Sequence, residues 1–152
     1  MLTESSDLEG LSILGSGTQP SKTLEVFPNR SPERFYLISL DTDEFTCLCP
    51  KTGQPDFAKI HVEYVPDKAV VESKSYKLYL WSYRNEGAFH EHVVNHILVD
   101  LVKALDPHWC MVKGIFNIRG GIGITVEAEY TKTSQARLQW RFKERQLSAD
   151  AG

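Results

Sequence analysis

The sequence predicts an α+β domain in which helices cover one face of an antiparallel sheet. Apolar and polar residues alternate over residues 58–65, 109–119 and 122–131, which is the period of half-buried strands. Between the first of these runs and the other two, a longer segment repeats apolar residues at helical spacing. Strands followed by helices and then by further strands are typical of α+β folds.

The first half of the chain combines short apolar runs with turn signals. Residues 35–40 are expected to form a strand, whereas proline and glycine residues mark residues 41–57 as a loop. Residues 58–65 are expected to form the next strand. The pair Pro66-Asp67 then turns the chain into a return strand over residues 68–73.

Two helices are expected in the middle of the chain. The first covers residues 74–84 and is broken by Gly87, and the second covers residues 88–105, where Asp106-Pro107 ends it. The second helix carries an apolar stripe at four-residue spacing, formed by Phe89, Val93, Ile97, Leu101 and Leu105. This stripe predicts that one side of the helix packs on the sheet.

Two further strands, residues 109–119 and 122–131, are joined at Gly120-Gly121, a pair typical of hairpin turns. The predicted element order is therefore ββααββ. Four strands cannot close a barrel, so the outer edges of this sheet need to be covered or paired.

Composition divides the chain into three segments. Residues 1–33 are rich in Ser, Thr, Gly and Pro and are expected to form a mobile or wrapping arm. Residues 34–131 are expected to form the folded domain. Residues 132–152 are polar and more basic than acidic, and we expect a tail in the form of a frayed surface helix.

Charge and hydropathy exclude several classes of protein. The net charge of −3 argues against a broad nucleic-acid-binding surface, which needs clustered Lys and Arg. A membrane span needs about 18 consecutive apolar residues, and the sequence has no such run. The N-terminal segment is acidic and lacks the apolar run of a secretory signal, so no such signal is expected. Three cysteines cannot all form disulfides within one chain. This favours a location in the cytoplasm, where reducing conditions keep cysteines free.

The first motif that can carry chemistry joins Cys49 to Asp56, seven residues later, across a loop rich in Pro and Gly. A thiolate is a strong nucleophile, and the adjacent Pro50-Lys51 keeps this loop stiff and locally cationic. A buried Asp56 carboxylic acid can deliver a proton. The alternatives are a Cys49 that only fills space in the core and an Asp56 that is an ordinary loop residue.

The second motif, residues 72–79, places hydroxyls and lysines behind a carboxylate. Ser73, Lys74 and Lys77 can bind phosphate groups together with the N-terminus of the first helix. Arg119 and Gly120 can add a guanidinium beside exposed turn amides. The alternative is that these lysines are only solvated and that the glycines only form a turn.

His90 and Glu91 lie in the first turn of the second helix. Glu91 can accept two hydrogen bonds from an aminopyrimidinone edge, and His90 can orient a ligand or move protons. The helix dipole alone also favours an acidic residue there. Metal binding is not expected, because Cys47-x-Cys49 and the His92/His96 pair do not complete a known zinc pattern.

The joint order of these motifs resembles the nitrile-reductase family of the queuosine pathway, in its single-domain form, over residues 35–119. The resemblance implies a tunnelling fold, in which several subunits join their sheets into a homo-oligomeric ring with active sites between subunits. It implies NADPH as the cofactor and a free deazapurine, 7-cyano-7-deazaguanine, as the substrate. Nucleic acid and membrane are not implied partners.

The resemblance also implies a role for each motif. Cys49 is the nucleophile and Asp56 the proton donor. The residues implied to line the deazaguanine pocket are Val71, Glu72, Ser73, His90 and Glu91. The residues implied to contact NADPH are Ser73, Lys74, Arg119 and Gly120. The implied reaction reduces the nitrile to a primary amine through a Cys49 thioimidate. Two alternatives remain, a related enzyme that adds ammonia to the same nitrile and a purine- or pterin-binding ring without catalysis.

Overall fold

The structure, a computed structural model, describes residues 17–132 of the 152-residue chain. Within this range the elements in chain order are β1 (Val26–Pro28), β2 (Ile38–Leu48), β3 (Pro55–Val65), β4 (Ala69–Val71), α1 (Ser73–Trp81), α2 (His90–Leu105), β5 (Trp109–Arg119) and β6 (Ile122–Thr131). The predicted helical tail lies outside the described residues, apart from Lys132.

A four-stranded antiparallel sheet in the order β2-β3-β5-β6 organises the described part of the chain. Helices α1 and α2 lie between its two hairpins in sequence, so the predicted α+β class and ββααββ order are confirmed. Strands β5 and β6 have the bounds that alternation predicts. Gly120 and Gly121 form the turn between them at φ values of 57° and 77°, which favour glycine.

The first hairpin of the sheet differs from the prediction. The prediction that residues 41–57 form a loop is wrong, because β2 extends to Leu48 and β3 begins at Pro55. The pairing of β2 with β3 shifts register between Thr42 and Phe45. Such an irregularity changes which side chains face inward, so β2 has no uninterrupted period-two pattern in the sequence.

The predicted strand over residues 68–73 exists in part, as β4 (Ala69–Val71), but it does not return along β3. Strand β3 has β2 and β5 as its two neighbours, so it has no free edge for these residues. Instead, β4 pairs antiparallel with β1, and Val26 lies opposite Val71. A strand therefore forms within residues 1–33, and the division of the chain into arm, domain and tail stays a prediction.

Helix α1 begins at Ser73, one residue earlier than predicted. Glu72 is its N-cap, and the Glu72 carboxylate accepts hydrogen bonds from Lys74 N at 2.8 Å and Ser75 N at 2.7 Å. These bonds satisfy two amides that have no partner within the helix. The sequence motif of a carboxylate before hydroxyls and lysines is therefore also a helix-start signal.

Helix α2 packs on β5 and β6 through the predicted apolar stripe, which is buried from Val93 to Leu105. Phe89, the first member of the predicted stripe, is instead the N-cap residue and is 59% exposed. A Cβ at Gly114 of β5 would lie only 2.7 Å from Val94 Cγ2, so glycine at this position lets the helix approach the sheet closely.

The opposite face and the outer edges of the sheet are not covered by the described residues. On the open face, His61 lies between two carboxylates, with Nδ1 2.6 Å from Asp41 Oδ1 and Nε2 3.2 Å from Glu63 Oε1. Strands β2 and β6 each have a single neighbour within residues 17–132. In the same range, neither helix combines the length and the hydropathy that a membrane span requires.

Candidate active site

A short loop between β2 and β3 fixes the position of Cys49. Cys49 N donates to Gln54 O at 2.8 Å, and Gly53 N donates to Cys49 O at 3.0 Å. Gly53 has a φ of 69°, a conformation that other residues rarely adopt, so glycine allows the loop to close. The two bonds hold the ends of the loop together and leave Cys49 partly exposed.

The segment before α2 is joined to the same loop. Leu48 N donates to Glu86 O at 2.8 Å, and Ala88 N donates to Leu48 O at 3.0 Å. A Cβ at Gly87 would lie 3.0 Å from Pro50 Cα, so glycine permits this close approach. Because Ala88 lies just before α2, these bonds bring the start of α2 to the Cys49 loop.

Asp56 lies at the centre of the cluster that results, and only 4% of this residue is exposed. One carboxylate oxygen accepts a hydrogen bond from Arg119 Nη1 of β5, and the other lies 3.3 Å from His90 Nε2 of α2. Arg119 Nη2 donates to Gln54 Oε1 at 2.7 Å. The guanidinium therefore joins the Cys49 loop to the buried carboxylate.

A register shift in the sheet explains how Arg119 reaches Asp56. The pairing of β5 with β6 shifts between Phe116 and Arg119. Ile115, an odd-numbered position before the shift, is exposed on the open face. The shift interrupts the alternation and allows the Arg119 side chain to contact the buried carboxylate of β3.

The imidazole of His90 is held by a ring stack. Its centroid lies 3.8 Å from that of Phe116, with an angle of 10° between the planes. Phe116 is itself 3% exposed, so it provides a rigid surface for the imidazole. The stack and the close approach to Asp56 together fix the orientation of His90.

The three cysteines differ in the pKa of their thiols. Hydrogen bonds from the Thr52 side chain, Thr52 N–H and Lys51 N–H lower the pKa of the Cys49 thiol, and the Arg119 charge lowers it further. Burial, by contrast, raises the pKa of Cys47 to about 11 and the pKa of Cys110 to about 12. All three thiols are free. Cys49 is therefore the one suited to act as a nucleophile.

The predicted site residues fall into two groups in space. Cys49, Asp56, His90 and Arg119 come together in the cluster described above. Val71, Glu72, Ser73, Lys74 and Lys77 lie at the end of β4 and the start of α1. Among residues 17–132, no hydrogen bond or ion pair joins the second group to the first.

Glu91 and Gly120 lie at the margins of the first group. Glu91 is exposed in the first turn of α2, next to His90, and its backbone carbonyl accepts a hydrogen bond from Asn95 Nδ2 at 2.8 Å. Gly120 follows Arg119 in the exposed β5–β6 turn. Both positions leave their polar groups accessible to a small molecule.

The residues considered as metal ligands serve other contacts. Cys47 is fully buried. His96 Nδ1 lies 2.7 Å from the Tyr83 hydroxyl, and His92 packs edge-on against Phe89. Within residues 17–132, no group of three or more His, Cys, Asp or Glu side chains is arranged to hold a metal ion.

Sequence reasoning missed three residues of the cluster. Thr52 and Gln54 lie between Cys49 and Asp56 in the sequence. Polar side chains within this motif are the signal by which both residues could have been found. Phe116 is an inward-facing residue of β5, and its sequence context marks it only as core. Its contact with His90 depends on how α2 packs against the sheet.

The arrangement defines a class of enzyme site. The accessible Cys49 thiol, whose pKa is lowered, belongs to a loop that Arg119 joins to the buried Asp56 carboxylate, and this carboxylate contacts the His90 imidazole. A thiolate can add to an electrophilic carbon, while a carboxyl–imidazole pair can handle protons. The cluster therefore has the groups that an enzyme needs for nucleophilic attack by a cysteine together with proton transfer.

Comparisons with known proteins identify the family. The family model described as "QueF-like protein" matches residues 55–135, and the chain belongs to this family. The chain is 61% identical over 130 residues to the NADPH-dependent 7-cyano-7-deazaguanine reductase of Syntrophus aciditrophicus, covering 86% of this chain and 93% of that protein. The protein of the same name from Alkalilimnicola ehrlichii is 58% identical over 119 residues, covering 78% and 92%.

A solved structure supports the same assignment. The crystal structure of the archaeosine synthase QueF-Like in the apo form superposes with a TM-score of 0.59 at 27% identity. The match covers 64% of this chain and 95% of that chain. The family resemblance and the tunnelling fold expected from the sequence motifs are therefore confirmed.

Proposed function

We propose that this chain reduces the nitrile of 7-cyano-7-deazaguanine to the primary amine of 7-aminomethyl-7-deazaguanine, with NADPH as reductant, in queuosine biosynthesis. The observation that carries the proposal is the cluster of Cys49, with its lowered pKa, and buried Asp56. It is found in a chain 61% identical to a protein named for this activity.

The first chemical step is covalent addition. The Cys49 thiolate attacks the nitrile carbon, a C–S bond forms, and one π bond of the nitrile breaks as its nitrogen takes a proton from Asp56. The product is a thioimidate, whose C=N bond accepts hydride more readily than the nitrile does. His90 Nε2 lies 3.3 Å from Asp56, close enough to return a proton to the carboxyl group between turnovers.

The residues at the start of α1 fit a phosphorylated cofactor through their side chains. The Glu72 carboxylate already accepts hydrogen bonds from the backbone amides of Lys74 and Ser75, so these amides are not free to bind a phosphate. Ser73, Lys74 and Lys77 are exposed on consecutive turns and can contact phosphate oxygens directly. When bound, NADPH supplies one hydride to the thioimidate and a second NADPH supplies one to the imine that follows release of Cys49.

The start of α2 provides the substrate-anchoring groups. The Glu91 carboxylate is exposed beside His90 and can accept hydrogen bonds from the ring N–H and the exocyclic amine of a deazaguanine. Anchoring the base through Glu91 would keep the imine in the site between the two hydride transfers. Excluding water from the bound intermediate protects it from hydrolysis.

The proposed assembly is a homo-oligomeric ring with active sites between subunits. Strands β2 and β6 each have one neighbour within residues 17–132, so both edges are available to a second copy. The absence of a bond between the α1 residues and the Cys49 cluster, in the described part of one chain, supports a site completed by a neighbouring copy. A cytoplasmic location keeps Cys49 reduced.

The activity is tested by mixing the protein with 7-cyano-7-deazaguanine and NADPH and following the absorbance of the reduced nicotinamide. We expect two NADPH consumed per substrate, full loss in Cys49→Ala, and retained activity in Cys47→Ala. No nitrile-dependent consumption of NADPH would contradict the proposal. Product that gains the mass of ammonia, with NADPH unchanged, would identify the alternative amidine-forming reaction.

The ring is tested by light scattering and by mixing two inactive variants, Cys49→Ala and Lys74→Glu, after joint dissociation and reassembly. A shared site predicts that activity partly returns, because some interfaces receive both intact residues. A fully active monomer would contradict the ring, and an oligomer without recovery would contradict sharing of the site.

A further inference from the structure

A chain of polar side chains joins α1 to α2 inside the domain. Tyr79 of α1 is fully buried, and its hydroxyl lies 2.6 Å from Asp100 Oδ2 and 2.8 Å from the Tyr83 hydroxyl. Tyr83, just beyond the end of α1, is 2% exposed, and its hydroxyl lies 2.7 Å from His96 Nδ1. Both His96 and Asp100 belong to α2. We call these four side chains the tyrosine network.

The position of each proton in the tyrosine network follows from the acceptor at one end. An ionised carboxylate has no hydrogen to donate, so the Tyr79 hydroxyl donates to Asp100. A hydroxyl has one hydrogen, so Tyr79 accepts from Tyr83, and Tyr83 in turn accepts from His96 Nδ1. Neutral imidazole carries a hydrogen on one nitrogen only. The network therefore requires this hydrogen on Nδ1 of His96.

The tyrosine network lies on the inward side of the helix whose outward side carries the proposed cofactor residues. Tyr79 is buried, whereas Lys74 and Lys77 are exposed. Successive side chains of an α-helix are about 100° apart, so Lys77 points about 160° away from Tyr79. The rotation of α1 that places the Tyr79 hydroxyl against Asp100 therefore also sets the direction in which both lysines point.

We propose that Tyr79 and Asp100 are positioning residues for the cofactor, because the bond between them holds α1 in the rotation that presents Lys74 and Lys77 to phosphate groups of NADPH. A rotation of α1 that broke this bond would leave a buried hydroxyl without its acceptor, which is unfavourable. Both residues act through α1 and not through contact with the cofactor. The proposal rests on the proposed function for its ligand, whereas the network itself belongs to the free protein.

A purely structural role is the competing explanation, since it would lower stability and leave the affinity for NADPH unchanged. The variants Tyr79→Phe and Asp100→Ala each break the bond, and Asp100→Asn keeps an oxygen that can accept it. Tyr76→Phe is the matched control, because it removes a hydroxyl from the same buried side of α1 outside the network. Urea unfolding establishes that each variant is folded at the temperature of the binding measurement.

The first measurement is the Kd of NADPH, from the fluorescence of the reduced nicotinamide. We expect Tyr79→Phe and Asp100→Ala each to raise it about tenfold, the order of effect of losing one hydrogen bond to a charged phosphate. Because both variants break the same bond, the double variant should also show about tenfold and not the roughly 100-fold of independent effects. Tyr76→Phe and Asp100→Asn should stay within about threefold of wild type.

The second measurement tests the network without cofactor. The ¹⁵N chemical shifts of the imidazole, assigned with His96→Gln, report which nitrogen carries the hydrogen in the neutral ring. We expect Nδ1 in wild type. In Tyr83→Phe, which removes the acceptor, we expect the hydrogen on Nε2. A neutral His96 with its hydrogen on Nε2 in wild type would overturn the proposed direction of the bonds.

Each result of the binding measurement bears on the proposal. Equal Kd values for wild type and Tyr79→Phe would overturn it, and so would an equal rise in Tyr76→Phe, because any change on the buried side of α1 would then have the same effect. Multiplying effects in the double variant would show that Tyr79 and Asp100 act separately, which also overturns it. A wild type without affinity for NADPH would instead refute the proposed function, an outcome distinct from a cofactor that binds regardless of the network.

Discussion

The stack of His90 on Phe116 gives a prediction that separates positioning from stability. Phe116→Leu removes the flat surface that holds the imidazole, whose centroid lies 3.8 Å from that of the phenyl ring. Without it, His90 can move away from its position 3.3 Å from Asp56. Because displacement of a catalytic group by about 1 Å costs on the order of 100-fold, we expect kcat to fall about 10- to 100-fold.

The cost in stability is expected to be moderate. Phe116 is 3% exposed, so the substitution loses nearly all of its ring contacts. Leucine still fills much of the space, which keeps the loss below the roughly 3–5 kcal/mol typical of Phe→Ala. We expect a decrease of about 1–2 kcal/mol in the free energy of unfolding, part of it from the stack.

The matched control is Phe45→Leu. Phe45 is 2% exposed, as buried as Phe116, and it packs on Tyr83 and not on His90. Phe45→Leu is therefore the same substitution at equal burial, but away from the imidazole. Urea unfolding and steady-state kinetics on both variants provide the comparison. We expect similar losses of stability but a kcat within about twofold of wild type for Phe45→Leu. Equal losses of kcat in the two variants would refute the positioning role of Phe116.

Three further predictions concern the substrate, pH and packing. Glu91→Gln should weaken binding of the nitrile substrate by about 1.5–3 kcal/mol in calorimetry, since an amide cannot accept at both atoms; equal affinities would make Glu91 only a helix-start residue. Burial lowers the pKa of His61, but hydrogen bonds to Asp41 and Glu63 outweigh it and raise this pKa above 6.5. Protonated His61 therefore stabilises the fold fully below pH 6.5, and this stabilisation is lost as the pH rises through the raised pKa. The difference in unfolding free energy between wild type and His61→Gln should therefore be largest at acidic pH, and a difference that grows with pH would show the reverse linkage. Gly114→Ala should cost about 1–3 kcal/mol in urea unfolding, because its Cβ would lie 2.7 Å from Val94; unchanged stability would mean that α2 shifts freely.

The parts of the fold that sequence predicts well are those specified by local patterns. Strands β5 and β6 alternate over most of their length and meet at a glycine pair, so their bounds follow from the sequence. Strand β2 is interrupted by its register shift at Thr42 and Phe45, which removes the period on which prediction depends. Strands β1 and β4 have three residues each, and only their mutual pairing makes them strands.

The candidate site shows the same division. Cys49 and Asp56 are recognisable because they belong to one short motif with a defined spacing. The contact of Arg119 with Asp56 joins residues 63 positions apart and depends on a register shift in the sheet. Sequence reasoning could assign Arg119 only to the cofactor, a role that stays a prediction beside the contact observed. Phe116 and Gln54 acquire their roles only when the elements pack.

The central claim is that Cys49 forms a covalent bond with the nitrile, and intact-mass spectrometry tests it most directly. Protein is incubated with 7-cyano-7-deazaguanine in the absence of NADPH, which stops the reaction at the thioimidate. We expect wild type and Cys47→Ala to gain the mass of one substrate molecule per chain, and Cys49→Ala to gain none. An adduct that persists in Cys49→Ala, or no adduct in a wild-type protein that turns over with NADPH, would contradict the account.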